Sequence, residues 1–165
     1  MSAEVVMTRI VPNLWFDTEG LEAAELYVSV FPDSQITGVS HYGEGGMGEP
    51  GSVMTVDFVL DGQSFRAING GPQFHFDEAV SFAVSCADQA EVDHYWERLS
   101  DGGEEGRCGW LKDRYGLSWQ VVPVGLGELL GDPDPGRAQR ATQSMLGMAK
   151  IDLEVMRAAA DRVDA

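Results

Sequence analysis

VSFAVSCADQAEVDHYWERL, residues 80–99, contains a strand followed by a helix. Val80–Cys86 is a short apolar run of strand length. Asp88, with Glu91 three residues on, forms a capping box that starts a helix. Val92, Tyr95, Trp96 and Leu99 fall at i, i+3, i+4 and i+7, so that helix has one apolar face. Ser100-Asp101-Gly102-Gly103 ends it, and strands follow near Arg107–Asp113 and Leu117–Pro123 around Arg114-Tyr115-Gly116.

The same order stands earlier in the chain. Ile10–Phe16 reads as a strand with Pro12 at an irregular start. Thr18 can cap a helix through about Val30 whose stripe is Leu21, Ala24, Tyr27, Val28 and Phe31, and Phe31-Pro32 stops it. A strand near Gln35–Tyr42, a glycine-rich loop Gly43–Gly51, and strands Val53–Leu60 and Gln63–Asn69 follow. Asp61-Gly62 between the last two predicts a tight hairpin with a type I′ turn. An offset of 68 residues places Leu14 on Phe82, Ala24 on Val92, Tyr27 on Tyr95 and Phe31 on Leu99. An offset of 54 places Phe65 on Trp119 and Ala67 on Val121, the loop Gly43–Gly51 having no counterpart. Self-similarity of this kind predicts two β-α-β-β-β modules, each too small to bury its sheet alone.

The expected class is therefore α+β: two paired modules, about 9–70 and 79–123, forming a curved mixed sheet around a cavity within a domain 1–123. Residues 124–165 read as a C-terminal helical extension, with Pro135 at a helix start and helices over Arg137–Met148 and Asp152–Arg162. Met145, Leu146, Met148, Leu153 and Met156 are expected to pack on the sheet or a partner chain.

Charge excludes whole classes of partner. The 165 residues hold 11 Lys+Arg against 27 Asp+Glu, a net charge of −16. Nucleic acid would be repelled, and so would an anionic membrane surface. No apolar run approaches the roughly 20 residues of a membrane span. Met1–Ile10 carries neither the basic nor the apolar region of a secretion signal. Cys86 and Cys108 lack CxxC spacing and read as two buried thiols, so a cytoplasmic location is expected.

Gly43-Glu44-Gly45-Gly46-Met47-Gly48 matches G-x-G-x-x-G, but a strand rather than a helix is predicted to follow. Without helix N–H groups, and with Glu44 and Glu49 nearby, it reads as a flexible loop and not a phosphate cradle. His41, His75 and His94 have no metal-ligand spacing and read as surface histidines. Neither a nucleophile elbow nor a Cys/His pair is present.

Strand parity places Leu14, Phe16, Phe65, Ala67, Phe82, Val84, Trp119 and Val121 under the helices. The alternate positions include Asn13, Trp15, Arg66, Ser81, Ser118 and Gln120, a mixed face suited to lining a pocket. A two-residue hairpin loop sets Asp57 opposite Arg66, which predicts a cross-strand ion pair at that face.

INGGPQFHFDEAVSFAVSC, EVDHYWERL and CGWLKDRYGLSWQVVP resemble the PhnB-like branch of the vicinal oxygen chelate superfamily, which includes glyoxalase I, bleomycin-resistance proteins and extradiol dioxygenases. Members of the branch are often labelled 3-demethylubiquinone-9 3-methyltransferase, and the resemblance spans about Arg9 to Ile151. It implies facing sheets that enclose a pocket, usually with a divalent metal, and commonly a homodimer. The metal positions it implies fall here on Val11, Ala79 and Gln120, none of them a usual ligand. The expected pocket is thus metal-free and without cofactor. It would bind a small aromatic and polar molecule through Asn13, Trp15, Asp57, Arg66, Ser81, Trp110 and Gln120. Two alternatives stay open: an enzyme, whether methyltransferase or metal-dependent lyase, isomerase or dioxygenase, and a non-catalytic assembly protein.

Overall fold

A computed structural model describes residues 8–163. The expected absence of a leader rests on residues 1–10, most of which lie outside the described range. The chain divides between Phe76 and Asp77 into two compact units, each with its own four-stranded mixed sheet.

The first unit runs β1 (Asn13–Phe16), α1 (Gly20–Val30), β2 (Gln35–His41), β3 (Val53–Leu60) and β4 (Gln63–Asn69). Its strand order is β1-β4-β3-β2, with β1 parallel to β4 and the other pairs antiparallel. The Asp61-Gly62 turn has positive φ at both residues, 45° and 83°, as type I′ requires. The register it sets is the predicted one: Leu60 faces Gln63, Val59 faces Ser64 and Asp57 faces Arg66.

The second unit runs β5 (Ser81–Cys86), α2 (Gln89–Ser100), β6 (Glu104–Glu105), β7 (Trp110–Lys112) and β8 (Ser118–Pro123), then α3 (Leu126–Leu130), α4 (Pro135–Leu146) and α5 (Leu153–Asp161). Its strand order, β5-β8-β7-β6 with β5 parallel to β8, repeats that of the first sheet. The α+β class and the duplicated β-α-β-β-β order are those expected from the sequence. Asp88 caps α2 by accepting from the Glu91 N–H, and the Glu91 carboxylate reaches back to the Ala87 N–H. Val92, Tyr95, Trp96 and Leu99 are buried against the sheet, along with Trp119 and Val121.

Several local expectations need correction. Strand β1 starts at Asn13 rather than Ile10, because Pro12 has no N–H and only its carbonyl joins β4, accepting from Arg66. Thr18 does not cap α1: its first free N–H, on Gly20, is taken by the Asn69 side chain at 2.8 Å. The buried stripe of α1 is Gly20, Ala23, Ala24, Tyr27 and Val30, so Leu21, Val28 and Phe31 flank the core instead of forming it. Ser118 does lie on the face its parity assigns, but it is only 1% exposed there. Cys108 is half-buried, whereas Cys86 is fully buried.

The extension packs within the second unit. Leu129, Ala141, Ile151, Met156 and Ala160 form a buried cluster flanked by Met145, Met148 and Leu153, while Leu146 points to solvent. Between α4 and α5 the Cys108 and Gly109 N–H groups donate to the carbonyls of Met148 and Ala149 at 2.9 and 2.8 Å. Gly109 has φ +83°, and a Cβ there would lie 2.8 Å from the Val121 carbonyl and 3.1 Å from Ile151, so only glycine permits this approach.

Candidate functional site

Within its own unit each sheet packs one face against its helix, and the opposite, open face has no described helix of that unit on it. On the open face of the first sheet, Asn13, Arg66 and Asp57 are consecutive register partners across β1, β4 and β3. The Arg66 guanidinium donates through Nε (2.6 Å) and a terminal nitrogen (3.1 Å) to the two Asp57 carboxylate oxygens. This bidentate pair holds the guanidinium above its ordinary pKa, first through the hydrogen bonds and then through the charge of Asp57. A cavity of about 310 Å³ beside the row is lined by Thr8, Val11, Thr37, Ser64 and the pair itself.

Trp15 lies two residues along β1 from Asn13, opposite Ile68. Its indole N–H donates to the Gly71 carbonyl at 2.9 Å, and the Phe74 ring meets it edge-on with centroids 5.0 Å apart. Gly70 lies so close that a Cβ there would stand 2.1 Å from the indole. The ring is therefore a fixed surface rather than a mobile one.

On the open face of the second sheet, the Gln120 amide donates to the Ser81 hydroxyl at 2.9 Å, and Trp110 faces Gln120 across β7 and β8. The next row of this face runs Ser81, Ser118, Lys112 and Glu104 through all four strands. Lys112 bridges to Glu78 at 2.5 Å. The pairing raises the lysine pKa and lowers the carboxyl pKa, in both cases mainly through the shared hydrogen bond. The seven predicted residues thus form two groups, Asn13, Trp15, Asp57 and Arg66 in one unit and Ser81, Trp110 and Gln120 in the other.

Sequence reading missed Ser118, Lys112 and Glu104 as neighbours in one row. Parity with Gln120 already placed Ser118 on that face, but β6 has only two residues and leaves no periodic trace. His41, His75 and His94 are exposed, and the Gly43–Gly48 loop closes over the Tyr42 ring before β3 instead of opening a helix.

Residues 8–122 match the 3-demethylubiquinone-9 3-methyltransferase family. The chain belongs to that family. The PhnB protein of Bacillus cereus, which carries the same description, is 32% identical over 71% of this chain and 100% of its own, with a TM-score of 0.66. PA1353 from Pseudomonas aeruginosa is 19% identical over 71% of this chain and 98% of its own, at a TM-score of 0.60. The fosfomycin resistance protein FosX from Mesorhizobium loti is 18% identical over 76% and 99%, at 0.51. No curated protein matches the chain. The family and the fold together place the chain among PhnB-like proteins of the vicinal oxygen chelate superfamily.

A metal at the superfamily's usual positions does not fit this chain. Val11 and Ala79 have no donor side chain, and the neutral Gln120 amide, whose nitrogen donates to Ser81, is a poor ligand where a carboxylate is usual. Among the described residues no three His, Cys, Asp or Glu converge on a point that could hold an ion. Nor does the glycine loop present the helix N-terminus with which a doubly wound fold holds a nucleotide-like methyl donor. No described helix is long and apolar enough to cross a membrane.

Proposed function

We propose that the protein binds a small molecule with both aromatic and polar character, without a metal or other cofactor, and works as a cytoplasmic homodimer. One observation carries the reading: each open sheet face bears a polar cluster beside an indole, Asn13–Arg66–Asp57 with Trp15 and Ser81–Gln120 with Trp110. The two indoles supply flat apolar surface and the flanking groups orient polar atoms. Sequestration needs nothing further, because binding alone removes the ligand from solution.

Elemental analysis of chelator-free protein, then thermal shifts with Mn, Ni, Zn, S-adenosylmethionine and a panel of aromatic metabolites and drugs, tests the reading. A ligand at 100 times its Kd stabilises by about 2.7 kcal/mol. The expected result is a shift with aromatic compounds and none with metals or S-adenosylmethionine. Stoichiometric metal, or a shift with S-adenosylmethionine, would replace binding by catalysis: a lyase or isomerase in the first case, the methyl transfer of the family description in the second. A monomer in light scattering would remove the dimer.

A further inference from the structure

At the β6–β7 edge of the second sheet, beside the row Ser118, Lys112 and Glu104, lies a cavity of about 200 Å³ lined by Glu78, Glu104, Glu105, Trp110, Lys112 and Ser118. Among the described residues, the Ser118 hydroxyl is the one buried side-chain polar atom without a hydrogen-bond partner. Buried hydroxyls are nearly always satisfied, and an orphan costs about 1–3 kcal/mol. The neighbouring carboxylates do not supply the missing bond. Glu78 is engaged by Lys112 at 2.5 Å, and Glu105 accepts the Trp96 indole N–H at 2.8 Å.

Charge decides what could. Three carboxylates and one ammonium line the cavity, and that ammonium is already paired. Asp77 and Glu104 add further negative potential at Lys112. An anion would meet net repulsion, and a chain at −16 strengthens the bias. A divalent metal is disfavoured too, since no three ligating side chains converge among the described residues. The Trp110 ring on the cavity wall adds an attractive face for an organic cation.

We infer that this cavity takes a small organic cation bearing N–H groups, a primary ammonium or a guanidinium, whose N–H donates to the Ser118 hydroxyl oxygen. At about 30 Å³ per water-sized group, the space admits roughly six such groups, enough for a compact amine or the head of a longer one. The inference rests on reading this face as ligand-binding, and it names the chemical class of part of the ligand.

Amide and indole NMR shifts of the full chain, titrated with ethylammonium chloride and with guanidinium chloride at low concentration against sodium chloride of equal ionic strength, test it. Saturable shifts at Trp110, Lys112 and Ser118 with both organic cations, and none with sodium, are expected. Ser118→Ala removes only the orphan hydroxyl oxygen, so it keeps the fold and should weaken binding about tenfold. Glu104→Gln should weaken it by a few-fold. Equal affinity in Ser118→Ala, or no shift at these residues, overturns the assignment. If aromatic compounds move Trp110 and Gln120 while the cations do not, the cation assignment fails and the binding face stands. If neither moves them, both fail.

Discussion

Asn69 at the end of β4 accepts the Gly20 N–H at 2.8 Å across 49 residues of chain, and its own amide donates to the carbonyls of Thr18 and Val53. One side chain therefore caps α1 and ties it to the sheet. Asn69→Ala removes the cap and strands two carbonyls, and should cost about 2–3 kcal/mol in denaturant unfolding. Gly20→Ala should also destabilise, because its Cβ would meet the Asn69 oxygen at 2.6 Å.

Arg66 and Asp57 form a bidentate pair, yet their side chains are 46% and 42% exposed. Exposed pairs contribute about 0–1 kcal/mol, so Arg66→Ala should leave the melting temperature within a few degrees of the parent. Arg66→Ala and Gln120→Ala, made as separate variants, should each weaken an aromatic ligand held on its own sheet face by about tenfold. Unchanged affinity in either variant, measured by calorimetry, would remove that residue from ligand binding.

Asp113 is buried and accepts from the backbone N–H groups of Tyr115 and Leu117 and from the Trp119 indole at 2.9 Å. Asp113→Ala leaves those donors without their acceptor in a dry site. A loss of about 3 kcal/mol or more is expected, read as a fall in the urea midpoint at unchanged slope.

Burial, then the charge of Glu91, pushes the Cys86 thiol from 9.0 up to about 11. The unfolded chain ionises from pH 9 while the folded one resists until about 11. That share of stability is complete below pH 9 and lost as pH climbs to 11, about 1.4 kcal/mol per pH unit. Cys86→Ala should flatten this alkaline fall in stability. In the native protein, a thiol reagent at pH 8 should label the half-buried Cys108 and reach Cys86 only after unfolding.

Features carried by neighbours in sequence were legible. The Asp88–Glu91 box, the face Val92, Tyr95, Trp96 and Leu99, and the Asp57–Arg66 pairing are each fixed within a dozen residues. The duplication was legible because both halves repeat those local patterns. What escaped depends on distant partners: the α1 cap comes from Asn69, and Ser118 is buried although parity puts it on the open face. Helix α3 and strand β6 are too short to impose a period. Trp15 was recognised as an aromatic surface, but its clamp by Gly70, Gly71 and Phe74 needs the fold.

The carbonyls of Met148 and Ala149 that receive the Cys108 and Gly109 N–H groups lie beyond residue 122, where the family match stops. An expression boundary drawn at that match would therefore uncouple two backbone donors beside β7 and lay bare the surface that Ile151 covers. The severed fragment would show a sticky apolar flank against Gly109 and Val121. The family-sized piece of this chain thus leaves out residues against which the Cys108–Gly109 turn packs.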